Sequence, residues 1–95
     1  MVDPAEIEAL RGFTGQTIVL DTRGPLLYIG VFERCDTGLI ELRDADVHDL
    51  GEGRTTKEVY LLEASKYGVR KNRASVTVRL CEVVSLSRLD DVVAY

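Results

Sequence analysis

Residues able to do chemistry are concentrated in one short stretch of this chain. Lys66, Arg70, Lys71 and Arg73 follow closely on one another, with Tyr60 and Tyr67 nearby. Cations neutralise phosphates, and aromatic rings stack on unpaired bases, so the pattern points to a single-stranded nucleic acid. A plain solvated face is the blander reading of such a run. A third is contact with an acidic patch on a neighbouring subunit.

Other constellations are weaker. Asp36-Thr37-Gly38 spells the triplet of aspartic proteases, whose chemistry needs two carboxylates sharing a proton across a dimer. Here Leu39-Ile40 follows where a small residue belongs, no later apolar pair plus Gly supports the triplet, and Leu27-Tyr28-Ile29-Gly30 precedes it in the wrong order. No enzyme is expected. Cys35 and Cys81 have no near Cys or His partner at metal-binding spacing, so no metal or cofactor is expected either. Both thiols read as small buried hydrophobes, and the single histidine, His48, as a surface residue.

Composition narrows the partners. The 95 residues suit one domain, 1–95, with 45% apolar and 29% charged residues. Net charge is −4, which argues against coating duplex DNA by bulk charge. That figure hides an asymmetry: residues 1–53 hold 11 acids and 4 bases, whereas residues 54–79 hold 7 bases and 2 acids. No apolar run reaches membrane-span length. The acidic start, Met-Val-Asp-Pro-Ala-Glu, does not read as a signal peptide. A reduced, cytoplasmic protein is expected.

The elements that must carry these residues are legible in outline. Asp3-Pro4-Ala5-Glu6 starts a short helix that ends near Arg11. Thr17–Thr22, Leu26–Arg34 and Leu39–Ala45 read as strands, separated by turn chemistry at Arg23-Gly24-Pro25 and Asp36-Thr37-Gly38. Gly30 inside the second strand predicts a sharp bend or bulge. Residues 46–73 form an insert, with a helix over Thr56–Gly68 or a β-hairpin in its place. Tyr60, Ala64 and Tyr67 would share one face of that helix. Two short strands follow, Ala74–Leu80 and Glu82–Ser87, and then an apolar tail, Val92–Tyr95.

This order resembles the Sm/LSm family. Gly24-Pro25-Leu26-Leu27-Tyr28-Ile29-Gly30-Val31-Phe32-Glu33-Arg34-Cys35-Asp36, closed by Leu42-Arg43-Asp44-Ala45, is similar to that family's first motif. Val76-Thr77-Val78-Arg79-Leu80-Cys81-Glu82-Val83-Val84-Ser85-Leu86 is similar to its second. The resemblance spans residues 3–45 and 74–91 and leaves the insert uncovered. It implies a mainly β fold: an N-terminal helix, then a small, strongly bent five-stranded antiparallel barrel, with the insert at about 46–73.

The same resemblance implies self-association into a ring. The fourth strand of one subunit would pair with the fifth of the next, satisfying two open edges. Val76, Val78, Val83, Val84 and Leu86 are then the expected interface positions. It also gives Arg79 the place of a pore-side arginine that contacts RNA or pairs with Asp36. The chain departs from the uridine-binding pattern at Ile40, where Asn is usual, and at Leu80, where Gly is usual. It is also about one residue short between Asp36 and Asp44. The expected function is thus a ring-forming Sm-like protein binding single-stranded RNA through Arg79, Asp36, Lys66, Arg70, Lys71, Arg73 and Tyr67. The alternative is an Sm-like interaction or structural module that binds no RNA.

Overall fold

The structure, a computed structural model, describes residues 3–51, 53 and 55–94. Arg54 of the basic block, Glu52 of the preceding loop and Tyr95 of the tail lie outside the described residues. Helix α1 spans Pro4–Leu10 and runs into a 3-10 turn at Arg11–Phe13. The Asp3 carboxylate caps it, accepting from the Ala5 N–H at 2.9 Å. Five strands follow: β1 Thr17–Thr22, β2 Leu26–Asp36, β3 Leu39–Asp49, β4 Arg73–Arg79 and β5 Val83–Arg88. Helix α2, Lys57–Tyr67, lies between β3 and β4, and 3-10 turns occupy Leu80–Glu82 and Leu89–Asp91.

The strands form one antiparallel sheet in the order β4-β3-β2-β1-β5. Its two edge strands are joined by only the Leu80–Glu82 turn, so the sheet must curl on itself. The curl is visible in the core: Val78 from one edge and Val83 and Leu86 from the other pack on the same cluster of Ile18, Leu20, Phe32, Ile40 and Leu42. α1 adds Ile7 and Leu10 to it.

Three register shifts accompany the curl: one on β5, where Val84 is the extra residue between Asp21↔Ser85 and Thr22↔Val83, and two between β2 and β3. Between Ile29↔Asp46 and Val31↔Arg43 one residue of β2, Gly30, faces two of β3, Asp44 and Ala45. Asp44 takes a left-handed backbone there, φ 51°. Between Phe32↔Leu42 and Arg34↔Glu41 the extra residue, Glu33, is on β2. β2 and β3 then close through a two-residue turn, Thr37-Gly38, both at positive φ (46° and 87°), the geometry that suits the twist of a hairpin.

Several boundaries differ from those expected from the sequence: β4 is Arg73–Arg79 rather than Ala74–Leu80, and β5 is Val83–Arg88 rather than Glu82–Ser87. β2 reaches Asp36 rather than Arg34. β3 reaches Asp49 rather than Ala45, because the bulge at Asp44 restores pairing beyond it. The connection between β3 and β4 is correspondingly shorter than 46–73 and is helical, not a hairpin. Thr56 caps α2 through Oγ1, which accepts from the Val59 N–H at 3.2 Å, and Gly68 closes it.

α2 lies on the outer face of the sheet. Tyr60 and Ala64 pack with Val19, Leu27, Ile29 and Leu89 in a second core. This explains why Ile18, Val19 and Leu20 are buried in succession: β1 is covered on both faces. Lys57 fastens the start of α2, its Nζ donating to Asp21 Oδ1 at 2.5 Å, Gly24 O at 2.8 Å and Thr22 O at 3.1 Å.

Candidate nucleic-acid interface

The basic residues sit where α2 leaves the sheet and the chain returns to β4. Tyr67 is the last residue of α2, two turns beyond the buried Tyr60. It shares the Tyr60 face, as the spacing predicts, but is 74% exposed. Lys66 Nζ stands 5.3 Å from the centre of the Tyr67 ring. Val69 dips back into the second core, which leaves Arg70 and Lys71 exposed on the linker and Arg73 exposed at the start of β4.

A polar cluster around one buried carboxylate fixes this region. Asp46 on β3 is 2% exposed. Its carboxylate accepts from the Tyr60 hydroxyl and, at 3.2 Å, from Asn72 Nδ2. Asn72 also mimics a paired strand: Val47 N–H donates to Asn72 Oδ1 at 2.9 Å, Asn72 Nδ2 donates to Val47 O at 2.9 Å, and Asn72 N–H donates to Ala45 O at 2.9 Å. The His48 ring stacks on Tyr60 with centres 4.1 Å apart. Burial, reinforced by the hydrogen bond to Asp46, pushes the Tyr60 hydroxyl well above its ordinary range. Tyr60 is therefore not available to stack on a base, and His48 is half-buried rather than a free surface residue. Sequence reading missed Asp46 and Asn72; an acid and an amide between apolar runs look like loop residues.

Charge pairing sets the basic residues apart. Arg11, Arg34, Arg43, Lys57 and Arg88 each lie within 4.0 Å of a carboxylate. Among the described residues, Lys66, Arg70, Lys71, Arg73 and Arg79 make no such ion pair, nor does Arg23, whose Nε donates to the Cys81 carbonyl instead. A hollow of about 20 Å³ lies beside Tyr67, lined by Asp46, Tyr60, Glu63, Ala64, Gly68 and Arg70. It holds one water at most, so any base must rest on the exposed ring and not enter the hollow.

Arg79 and Asp36 do not join this platform. Arg79 ends β4, roughly 20 Å along an extended strand from Arg73. It pairs in register with Leu39, next to the Thr37-Gly38 turn, and Leu80 N–H donates to Gly38 O at 2.8 Å. Arg79 forms no ion pair with Asp36. Ile40, at the place of the usual Asn, is wholly buried between Cys35 and Val78. Leu80, at the place of the usual Gly, packs on the core. An open hollow of about 370 Å³ does lie beside the turn, lined by Arg34, Asp36, Thr37, Leu39, Glu41 and Thr77, and neither Ile40 nor Leu80 reaches it.

Of the expected interface positions, Val78 is buried within the subunit, and Val76, Val83 and Leu86 are partly buried against its core. Val84 is 63% exposed on the edge strand β5. The cysteines differ from each other. Cys35 is buried, and burial raises its thiol pKa against the opposing pull of Arg11. Cys81 is exposed, contrary to the expectation for a small hydrophobe, because it sits in the Leu80–Glu82 turn, where its carbonyl accepts from Arg23 Nε at 3.1 Å. Among the described residues no group of three metal-ligating side chains comes together, and no helix is long and apolar enough to cross a membrane.

The architecture is shared with solved structures. An Sm protein of Pyrococcus abyssii, solved in complex with a uridine heptamer, superposes with a TM-score of 0.59 over 92% of this chain and 99% of its own, at 15% identity. An Sm-like protein of Archaeoglobus fulgidus gives 0.58 over 93% and 96%, at 16% identity. A scan against protein-family models finds no match, and neither does a search of curated proteins. The chain thus has an Sm-like fold, with a sequence far diverged from those of its structural neighbours.

Proposed function

We propose that this chain is a cytoplasmic, non-enzymatic Sm-like subunit that assembles into a ring and binds single-stranded RNA. The observation that carries the reading is the platform of Lys66, Arg70, Lys71 and Arg73 beside the exposed Tyr67 ring, cations that have no carboxylate partner among the described residues, between the end of α2 and the start of β4. Unneutralised cations attract phosphate, and a ring exposed on one face stacks on a base of any sequence. Arg79 adds a separate phosphate contact near the Thr37-Gly38 turn, which Asp36 enters as the last residue of β2. Supporting the reading, a neighbour of the same fold was solved with a uridine heptamer. The free edges of β4 and β5 support assembly, because each offers unpaired backbone groups to a second copy.

A second reading, an Sm-like oligomer without RNA, is favoured by one observation: Ile40 lies in the core where a base-reading Asn is usual. Titration of short single-stranded RNAs at several salt concentrations separates the two. RNA binding that weakens with salt and is lost on charge reversal at Arg70, Lys71 and Arg73 supports the first; no binding at low salt supports the second.

A further inference from the structure

Asp46 is a buried carboxylate that the RNA reading leaves unused, yet it joins the two elements that carry the platform. One oxygen accepts from Tyr60 on α2, the other from Asn72 on the linker. Lys66 and Tyr67 lie about two turns along α2 from Tyr60, and Lys71 and Arg73 flank Asn72 in sequence. Asn72 is itself locked to β3 through three bonds to Ala45 and Val47. The stacking ring and the linker cations thus stand on separate elements, both tied to one residue of the sheet. We infer that Asp46, with Tyr60 and Asn72, is a positioning unit for RNA: it fixes the spacing between Tyr67 and the cations, so base stacking and phosphate contact occur together. This rests on the RNA reading. Loops that are held in place before binding are not ordered at the expense of affinity.

The test uses the full chain and two variants, with decamers of uridylate and adenylate as probes. Tyr60→Phe keeps the ring and its stack on His48 but removes the hydroxyl. Asn72→Ala leaves Tyr60 in place and removes the other donor. Affinity, its salt dependence and amide exchange over residues 66–73 are measured well below each variant's melting temperature. The expected result is threefold to tenfold weaker binding, a shallower dependence of log K on log salt because fewer phosphates are met at once, and faster exchange confined to that segment. Mere destabilisation of a protein that stays folded would not flatten the salt dependence. If Tyr60→Phe does not fold, Asn72→Ala decides. Wild-type affinity and salt slope in a variant with faster exchange at 66–73 overturn the inference while leaving RNA binding intact. Absence of binding by the unaltered chain, or indifference to charge reversal at Arg70, Lys71 and Arg73, overturns the RNA reading and this inference with it.

Discussion

Gly30 and Ala45 meet across the bend of the sheet so closely that a Cβ on Gly30 would lie 3.0 Å from the Ala45 Cβ and 3.2 Å from the Arg43 carbonyl oxygen. Backbone can come this near only where a side chain is missing. The approach lets β3 bulge at Asp44 and turn Asp46 into the protein. Gly30→Val is therefore expected to destabilise the fold by about 1–3 kcal/mol through overpacking. Thermal unfolding checks this, with a drop of at least about 4 °C expected for a domain of this size.

Stability should fall at alkaline pH by way of Tyr60. Its folded pKa lies above the ordinary value of 10.0. The folded state therefore holds that proton where the unfolded chain has lost it. The contribution is complete below about pH 10 and is lost as pH rises from there through the folded value. In urea unfolding followed between pH 9 and 11, wild type should lose more stability than Tyr60→Phe, which lacks the titrating group.

The two thiols should separate under alkylation. Cys81 is exposed and Cys35 is buried with a raised pKa, and the thiolate is the reactive form. One equivalent of iodoacetamide should enter the native protein at pH 8, at Cys81 by peptide mass spectrometry. The second should enter only after denaturant is added. Equal rates would place Cys35 outside the core.

Assembly should depend on the β5 edge. Val84 is 63% exposed there and belongs to neither core cluster among the described residues. Val84→Lys places a charge on the edge, a device that blocks strand pairing. Sedimentation should then show a smaller species than wild type with an unchanged circular dichroism spectrum. Identical sedimentation would remove β5 from the interface.

The sequence made the sheet largely readable, for reasons visible in single residues. Asp3-Pro4 and Thr56…Gly68 bound helices because their side-chain and backbone preferences act locally, and Gly30 marks the bend because no side chain fits there. The far end of β3 was hidden, since Asp44-Ala45-Asp46 has the composition of a strand terminus. Only the left-handed turn at Asp44 and the distant donors Tyr60 and Asn72 make Asp46 tolerable in the interior. The platform was legible as a run of charges. That Tyr67 would be exposed and Tyr60 occupied was not, because both lie on one helical face and only the tertiary contacts of Tyr60 with Asp46 and His48 tell them apart. The gap between Arg73 and Arg79 likewise depends on β4 being fully extended.

The most direct test is fluorescence titration of a labelled single-stranded RNA decamer with the wild-type chain and with the Arg70→Glu, Lys71→Glu, Arg73→Glu triple variant, at low and at physiological salt. Binding by the wild type should weaken as salt rises, and the triple variant should bind at least tenfold more weakly at low salt while keeping its fold. No binding by the wild type at low salt, or equal binding by the two proteins, would contradict the assignment of RNA to this platform.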